Sequence, residues 1–544
     1  MHIPTFLKTA VMAVTALILF AAAPARAEWR KAETAHFIVY GDTSERDIRA
    51  FAQRIERFDA FLRAYYPIET EYETPKLEIY LAEGSRDMNR VYPGIGGGVA
   101  GFYSSNSGRI YAVVNTTVVI GDVVLFHEYA HHFMFQMRSN AYPSWFVEGF
   151  AEYYATAEVR PDRIQFGRHH PGRMDVLNLG ANSWARMEDV LKWRYTPSGR
   201  YPAYLYYAQA WGMTHYFMST PERTRMLGQY LAAVVRGEDS VAAMQAATGR
   251  TPEELQNDVR RYLSGSINIW TPQITVPEPE VTIATLPRAE ADMIWLDIRL
   301  DNIDVIELPE EEDGQTRKSE AQKAREARER AEMRADLIRD AHAAAARHPG
   351  DRMARLVDAR AYRLSFDPAA ALTTLEPLVG SDSTDADALR VAAWALLDQA
   401  GKETDPEAAL RLKRRASGFL ARSMDADPMD FRTYLSLNDV RRGLASYPTE
   451  NDFATLQAAV GLAPQSFEAR LRLGEALMSR GQNAEAVVIL LPVSNSPHRS
   501  IYTRRAREMI AAARQAQGLA VETFEAPPED QAEPSVEAEA ATAD

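Results

Sequence analysis

Cysteine is absent from all 544 residues. That excludes disulfide staples, lipid attachment through a cysteine, and thiolate metal ligands, so a bound zinc ion must take nitrogen and oxygen donors. Long apolar runs are almost as scarce. One, Ala10–Ala23, follows Lys8 and precedes Pro24-Ala25-Arg26-Ala27. It is short of the roughly 20 residues that span a bilayer and ends in a small-residue cleavage pattern. It therefore predicts an export signal over residues 1–27, a periplasmic destination, and a mature chain with no membrane span. Excess positive charge is lacking too, because 61 Lys and Arg face 75 Asp and Glu for a net charge of −14. Nucleic acid and anionic membrane surfaces are thereby disfavoured as partners. Part of the acidity lies beyond Glu525, where Ala, Pro, Glu and Asp leave little to bury, so residues 518–544 are expected to be a disordered tail.

What is present organises the rest. Alternating apolar residues at His36–Tyr40, Lys76–Ala82 and Arg109–Val114 predict three strands. Ser44, with Asp47 three residues on, predicts a capped helix reaching Ala64. Residues 204–264 read as helices. The order of elements suggests a small mixed sheet with helices packed on it, a domain over residues 28–268. Around Trp270 the pattern dissolves among Pro272, Pro277 and Pro279, predicting a linker and charged helix over 269–335, with Ala289–Leu300 as one amphipathic helix. Residues 336–517 carry internal repeats: Ala469, Leu473-Gly474, Leu477, Gly481 and Glu485-Ala486 follow tetratricopeptide spacing. Pro428, Pro464 and Pro497 recur near the expected period of about 34 residues. Ala388–Ala400 and Arg355–Leu375 are weaker copies. Helix pairs of this kind are stabilised by stacking and offer a surface for a protein partner.

Histidine is rare, with 11 in the chain, yet two of them sit in His127-Glu128-Tyr129-Ala130-His131 inside an apolar helical run. Residues four apart on a helix lie about 40° apart, so both rings can reach one metal ion. Glu128 then sits where it can take a proton from water. Downstream comes Pro143-Ser144-Trp145-Phe146-Val147-Glu148-Gly149-Phe150-Ala151-Glu152-Tyr153. With these two segments the chain resembles the gluzincin, or peptidase MA-like, zinc metallopeptidases. The resemblance covers roughly residues 30–265, and its specific part is confined to 122–155. It implies an α+β zincin-like fold with a small mixed sheet, ahead of the all-α tetratricopeptide-like solenoid. It also implies Zn²⁺ held by His127, His131 and Glu148, and Glu128 as general base towards a peptide or protein substrate.

Glu152, one turn beyond Glu148, is expected to hold a zinc-binding histidine or to substitute as ligand. The oxyanion donor of the family maps onto Tyr207, with Tyr206 as the other choice. His132 is expected behind the site or in the core, and His169-His170 in solvent. A strand follows Gly96, Gly98 and Gly101, so a dinucleotide loop is excluded there. By the same resemblance the strand Arg109–Val114 is expected to be the edge that pairs with substrate. Two other readings remain open: a catalytically inactive peptidase-like scaffold that binds proteins through its repeats, and an amidase or other zinc hydrolase acting on cell-wall peptides.

Overall fold

The structure is a computed structural model. It describes residues 28–519 apart from 68–72, 96–98, 106–107, 118–120, 138, 180–183, 193–200, 303–318 and 497–499. The predicted signal and nearly all of the predicted acidic tail lie outside these residues.

The N-terminal half is built on a mixed six-stranded sheet. Its strands are β1 (Trp29–Glu33), β2 (Phe37–Asp42), β3 (Leu77–Ala82), β4 (Gly101–Ser104), β5 (Tyr111–Asn115) and β8 (Thr282–Thr285), in the order β4-β5-β3-β2-β1-β8. β2, β3 and β5 run parallel, and the outer pairs β4–β5, β1–β2 and β1–β8 are antiparallel. Period-two alternation divides the side chains between two cores. Phe37, Val39, Leu77, Ile79, Ala112 and Val114 face one, whereas Tyr80, Ala82, Tyr111 and Val113 face the other.

Helix α1 (Glu45–Tyr65) covers the first face. It is capped as expected, with the Ser44 side chain accepting from the Asp47 amide. Helix α2 (Ser85–Val91) lies on the second face. The metal-motif helix α3 (Gly121–Met137) follows β5, and α4 (Ser144–Ala155) packs beside it. After the small hairpin β6–β7 (Glu158–Val159, Ile164–Gln165) come α5 (Pro171–Leu179), α6 (Met187–Lys192), α7 (Ala203–Phe217), α8 (Pro221–Val235), α9 (Ser240–Thr248) and α10 (Pro252–Leu263).

The expected linker is corrected. Within 269–335, β8 pairs with β1 as an edge of the sheet, and α11 (Arg288–Asp301) buries Ile294, Trp295 and Ile298 against the sheet's second face. The domain therefore runs past residue 268 to at least Asp301. The boundary at 336 falls inside one continuous helix, α12 (Glu320–Ala345).

The remainder is helical, as the repeat pattern anticipated: α13 (Arg352–Leu364), α14 (Pro368–Leu375), α15 (Ala386–Lys402), α16 (Pro406–Ala426), α17 (Phe431–Arg441), α18 (Glu450–Leu462), α19 (Phe467–Ser479), α20 (Asn483–Ser494) and α21 (Ile501–Ala516). Side-chain caps start most of them, including Asp351, Asp367, Asp385, Asp405, Asp430, Thr449 and Ser466. Each helix packs on the next in sequence. Gly474 shows why a small residue recurs, because a Cβ there would come within 2.8 Å of Leu490 on α20.

The array folds back onto the sheet domain rather than extending from it. Arg109 reaches Asp297 at 2.9 Å and Asp301 at 3.0 Å, Arg360 pairs with the same two carboxylates, and Arg432 lies 3.7 Å from Asp301. Among the described residues, no helix is long and apolar enough to cross a membrane.

Candidate metal centre

Helix α3 is held on its apolar side. Phe126 stacks on Phe58 with centroids 4.0 Å apart, and the Tyr129 hydroxyl donates to buried Asp59, which also pairs with Arg63 and with His36. With that side fixed against α1, His127 and His131 emerge one turn apart on the opposite side. Their Nε2 atoms are 3.1 Å from each other.

Helix α4 supplies the carboxylate. All twelve of its residues are buried, and Trp145 anchors it by donating to the Tyr230 hydroxyl at 3.0 Å. Gly149 lets α4 lie against α7: a Cβ there would run into the Ala210 carbonyl and the Thr214 hydroxyl. The close approach sets Glu148 opposite the motif. Its Oε2 lies 3.7 Å from His127 Nε2 and 3.5 Å from His131 Nε2. Four-coordinate zinc with ligand bonds of about 2.0–2.1 Å needs donor atoms about 3.3 Å apart, and the three separations here straddle that value. The donor set also suits a divalent cation chemically. Two imidazole nitrogens and one carboxylate at 1 % exposure make a dry nitrogen–oxygen donor set of the kind a divalent cation takes.

Glu152 stands behind His127. Its Oε1 is 3.5 Å from His127 Nδ1, the ring nitrogen turned away from His131. Arg173 from α5 grips the same carboxylate in bidentate fashion at 2.7 and 2.9 Å, and His170 Nε2 lies 3.4 Å away. Burial pushes the Glu152 carboxyl up, but the Arg173 guanidinium, its hydrogen bonds and the imidazoles of His127 and His170 outweigh it and bring it down to about 2. An ionised Glu152 beside Nδ1 suits a ring whose Nε2 faces the other two donor atoms. Its ligating alternative does not match this geometry, since Glu148 rather than Glu152 faces both Nε2 atoms.

The remaining expectations divide. His132 is buried as expected, 3.1 Å from the Tyr103 hydroxyl, and burial, with Arg63 adding, holds its ring down to about 3. His169 is exposed as expected, but His170 is not a solvent residue: it is drawn in beside Glu152. Arg173 was not singled out by the sequence. Its one local signal is Pro171, which opens the helix that aims it. Tyr206 and Tyr207 point to different neighbours. Tyr206 lies beside Ser144 and in the field of Glu148, with its hydroxyl pushed well up by burial first and that charge second. The Tyr207 ring lies 5.3 Å from the Arg173 guanidinium. Arg109–Val114 is not the sheet edge. β5 lies between β3 and β4, so the outermost strand beside α3 is β4. Gly96 and Gly98 lie outside the described residues.

Residues 123–236 match a family described as Protein of unknown function (DUF1570). That stretch runs from α3 to the end of α8 and contains His127, Glu128, His131, Glu148, Glu152, Arg173 and both tyrosines. No curated protein matches the chain. Among solved structures, a thermophilic TPR protein of Thermus thermophilus is similar at 20 % identity over 34 % of this chain and 91 % of that one, with a TM-score of 0.29. A superposition that loose decides nothing about fold or function.

Proposed function

We propose that the protein is an exported zinc-dependent metallopeptidase. The observation that carries this is the buried triangle of His127 Nε2, His131 Nε2 and Glu148 Oε2, with separations of 3.1 to 3.7 Å. Glu128, in the same turn of α3, is the carboxylate of the motif that stands outside this triangle, and proton transfer is assigned to it. His127, His131 and Glu148 would hold the zinc ion, which would supply a more acidic water molecule, with a pKa towards about 7, and polarisation of a carbonyl. Glu128 takes the proton from the attacking water and returns it to the departing amine. Glu152 and Arg173 keep His127 oriented throughout. Tyr207 is the proposed donor to the developing oxyanion, with Tyr206 as the alternative. The periplasmic location and a protein-recruiting role for the helical array belong to the same proposal.

The test is hydrolysis of fluorescein-labelled casein by the full chain loaded with zinc. Glu128→Gln should retain one zinc and lose hydrolysis by at least about a hundredfold, in line with the usual contribution of general base catalysis. Zinc retained with no hydrolysis by the wild type, on casein or on peptidoglycan fragments, would favour the inactive scaffold. Cleavage of peptidoglycan peptides alone would point to the amidase.

A further inference from the structure

The turn 463–466, between α18 and α19, brings the helical array to the metal centre. Gln136, at the end of α3, donates to the Leu462 carbonyl at 3.2 Å, and Ser139 donates to the Pro464 carbonyl at 3.2 Å. These bonds pin the turn to the helix that carries His127, Glu128 and His131. Gln465 is thereby set against β4, its carboxamide beside the Tyr103 hydroxyl. Tyr103 in turn lies 3.1 Å from His132 Nδ1 and within the field of Glu128.

Gln465 is only 3 % exposed. Although it neighbours Tyr103, neither its amide nitrogen nor its oxygen makes a hydrogen bond of sound geometry among the described residues. Burying a carboxamide in that way is costly, and native proteins rarely do so without a reason. The neighbouring strand has a similar unmet capacity. β4 is the last strand of the sheet, so among the described residues its outer backbone edge pairs with no other strand.

We propose that Gln465 is a substrate-binding residue contributed by the helical array, hydrogen-bonding the main chain of an extended peptide laid along the free edge of β4. A carboxamide offers both donors and an acceptor, which is what a peptide unit presents in return. Tyr103, on the strand that packs against α3, places that contact next to His132. The inference rests on the peptidase reading and deepens it: both halves of the chain build the cleft. The polypeptide that enters must be unfolded where it meets the strand edge, since only extended backbone can add to a sheet.

Gln465→Met keeps the length and volume of the side chain and removes only the amide. In the full chain it should leave the melting temperature unchanged or raise it. The KM for labelled casein should rise at least fivefold, with kcat within twofold. In the Glu128→Gln background, fluorescence anisotropy should show casein binding weakened by the same factor. A melting temperature lowered by several degrees would mean that the amide serves the folded protein itself, and overturns the inference. So does casein binding that is unchanged by the substitution, or absent at every concentration. If Glu128→Gln cleaves casein as fast as the wild type, the peptidase reading fails, while the binding comparison still judges Gln465.

Discussion

Gly149→Ala sets two physical effects against each other, and the structure says which wins. In an isolated helix the change should stabilise by roughly 1 kcal/mol, because alanine loses less backbone entropy than glycine. In α4 the new methyl group meets the Ala210 backbone carbonyl and the Thr214 hydroxyl of α7 at far less than contact distance. A backbone carbonyl inside a helix cannot swing aside, so α4 and α7 must separate. Overpacking of this kind costs about 1–3 kcal/mol, occasionally more, so the net change is destabilising or near zero at best. Glu148 is the adjacent residue, and metal ligands tolerate displacements of only about 0.2 Å. The account therefore predicts a zinc affinity reduced about 10- to 100-fold, the range seen when support of a ligand is disturbed. Calorimetric melting and a competitive zinc chelator titration measure the two effects. A Gly149→Ala protein that melts higher than the wild type and binds zinc equally well would refute the packing argument.

Three further outcomes follow from the same geometry. Arg173→Met strips the buried Glu152 carboxylate of its bidentate partner, a loss of about 3–5 kcal/mol for a buried pair; urea unfolding should shift accordingly, and zinc affinity should fall with it. If Tyr207 donates to the oxyanion, Tyr207→Phe lowers kcat by about 10²–10³-fold and Tyr206→Phe has little effect; the reverse pattern in casein hydrolysis moves the role to Tyr206. Burial raises the Asp430 carboxyl, but Arg390 and Arg432 outweigh it and hold it at about 2, below its usual value of 3.8. A carboxyl lowered by folding stabilises above its unfolded pKa, and the contribution disappears as pH falls through the folded one. About 2 kcal/mol should therefore be lost between about pH 4 and pH 2, and Asp430→Asn should flatten that part of the acid-unfolding curve.

The parts of this protein that follow local periodicity were readable in its sequence. His127 and His131 are one turn apart on any helix, Glu148 lies four residues ahead of Glu152 on the next one, and the α1 cap at Ser44 is a local hydrogen bond. What the sequence concealed depends on contacts between distant segments. β4 is four residues long and follows a glycine-rich stretch, so it leaves no alternation long enough to notice, and β5 reads as the edge in its place. β8 is largely exposed and joins the sheet through backbone pairing with β1, leaving no hydrophobic signature in a proline-rich stretch that reads as a linker. His170 and Arg173 sit among Gly, Pro and Arg and acquire meaning only when α5 lies against Glu152. Gln465 is a polar residue in a turn, and only the docking of the array onto α3 makes its burial notable.

The central claim is that His127, His131 and Glu148 share one metal ion, and elemental analysis of the purified full chain tests it most directly. The account predicts one equivalent of zinc per chain in the wild type and less than about a tenth of that in His127→Ala and in Glu148→Ala, each shown by circular dichroism to be folded. Wild-type protein that takes up no zinc on reconstitution, or folded Glu148→Ala that holds a full equivalent as tightly as the wild type, would contradict it.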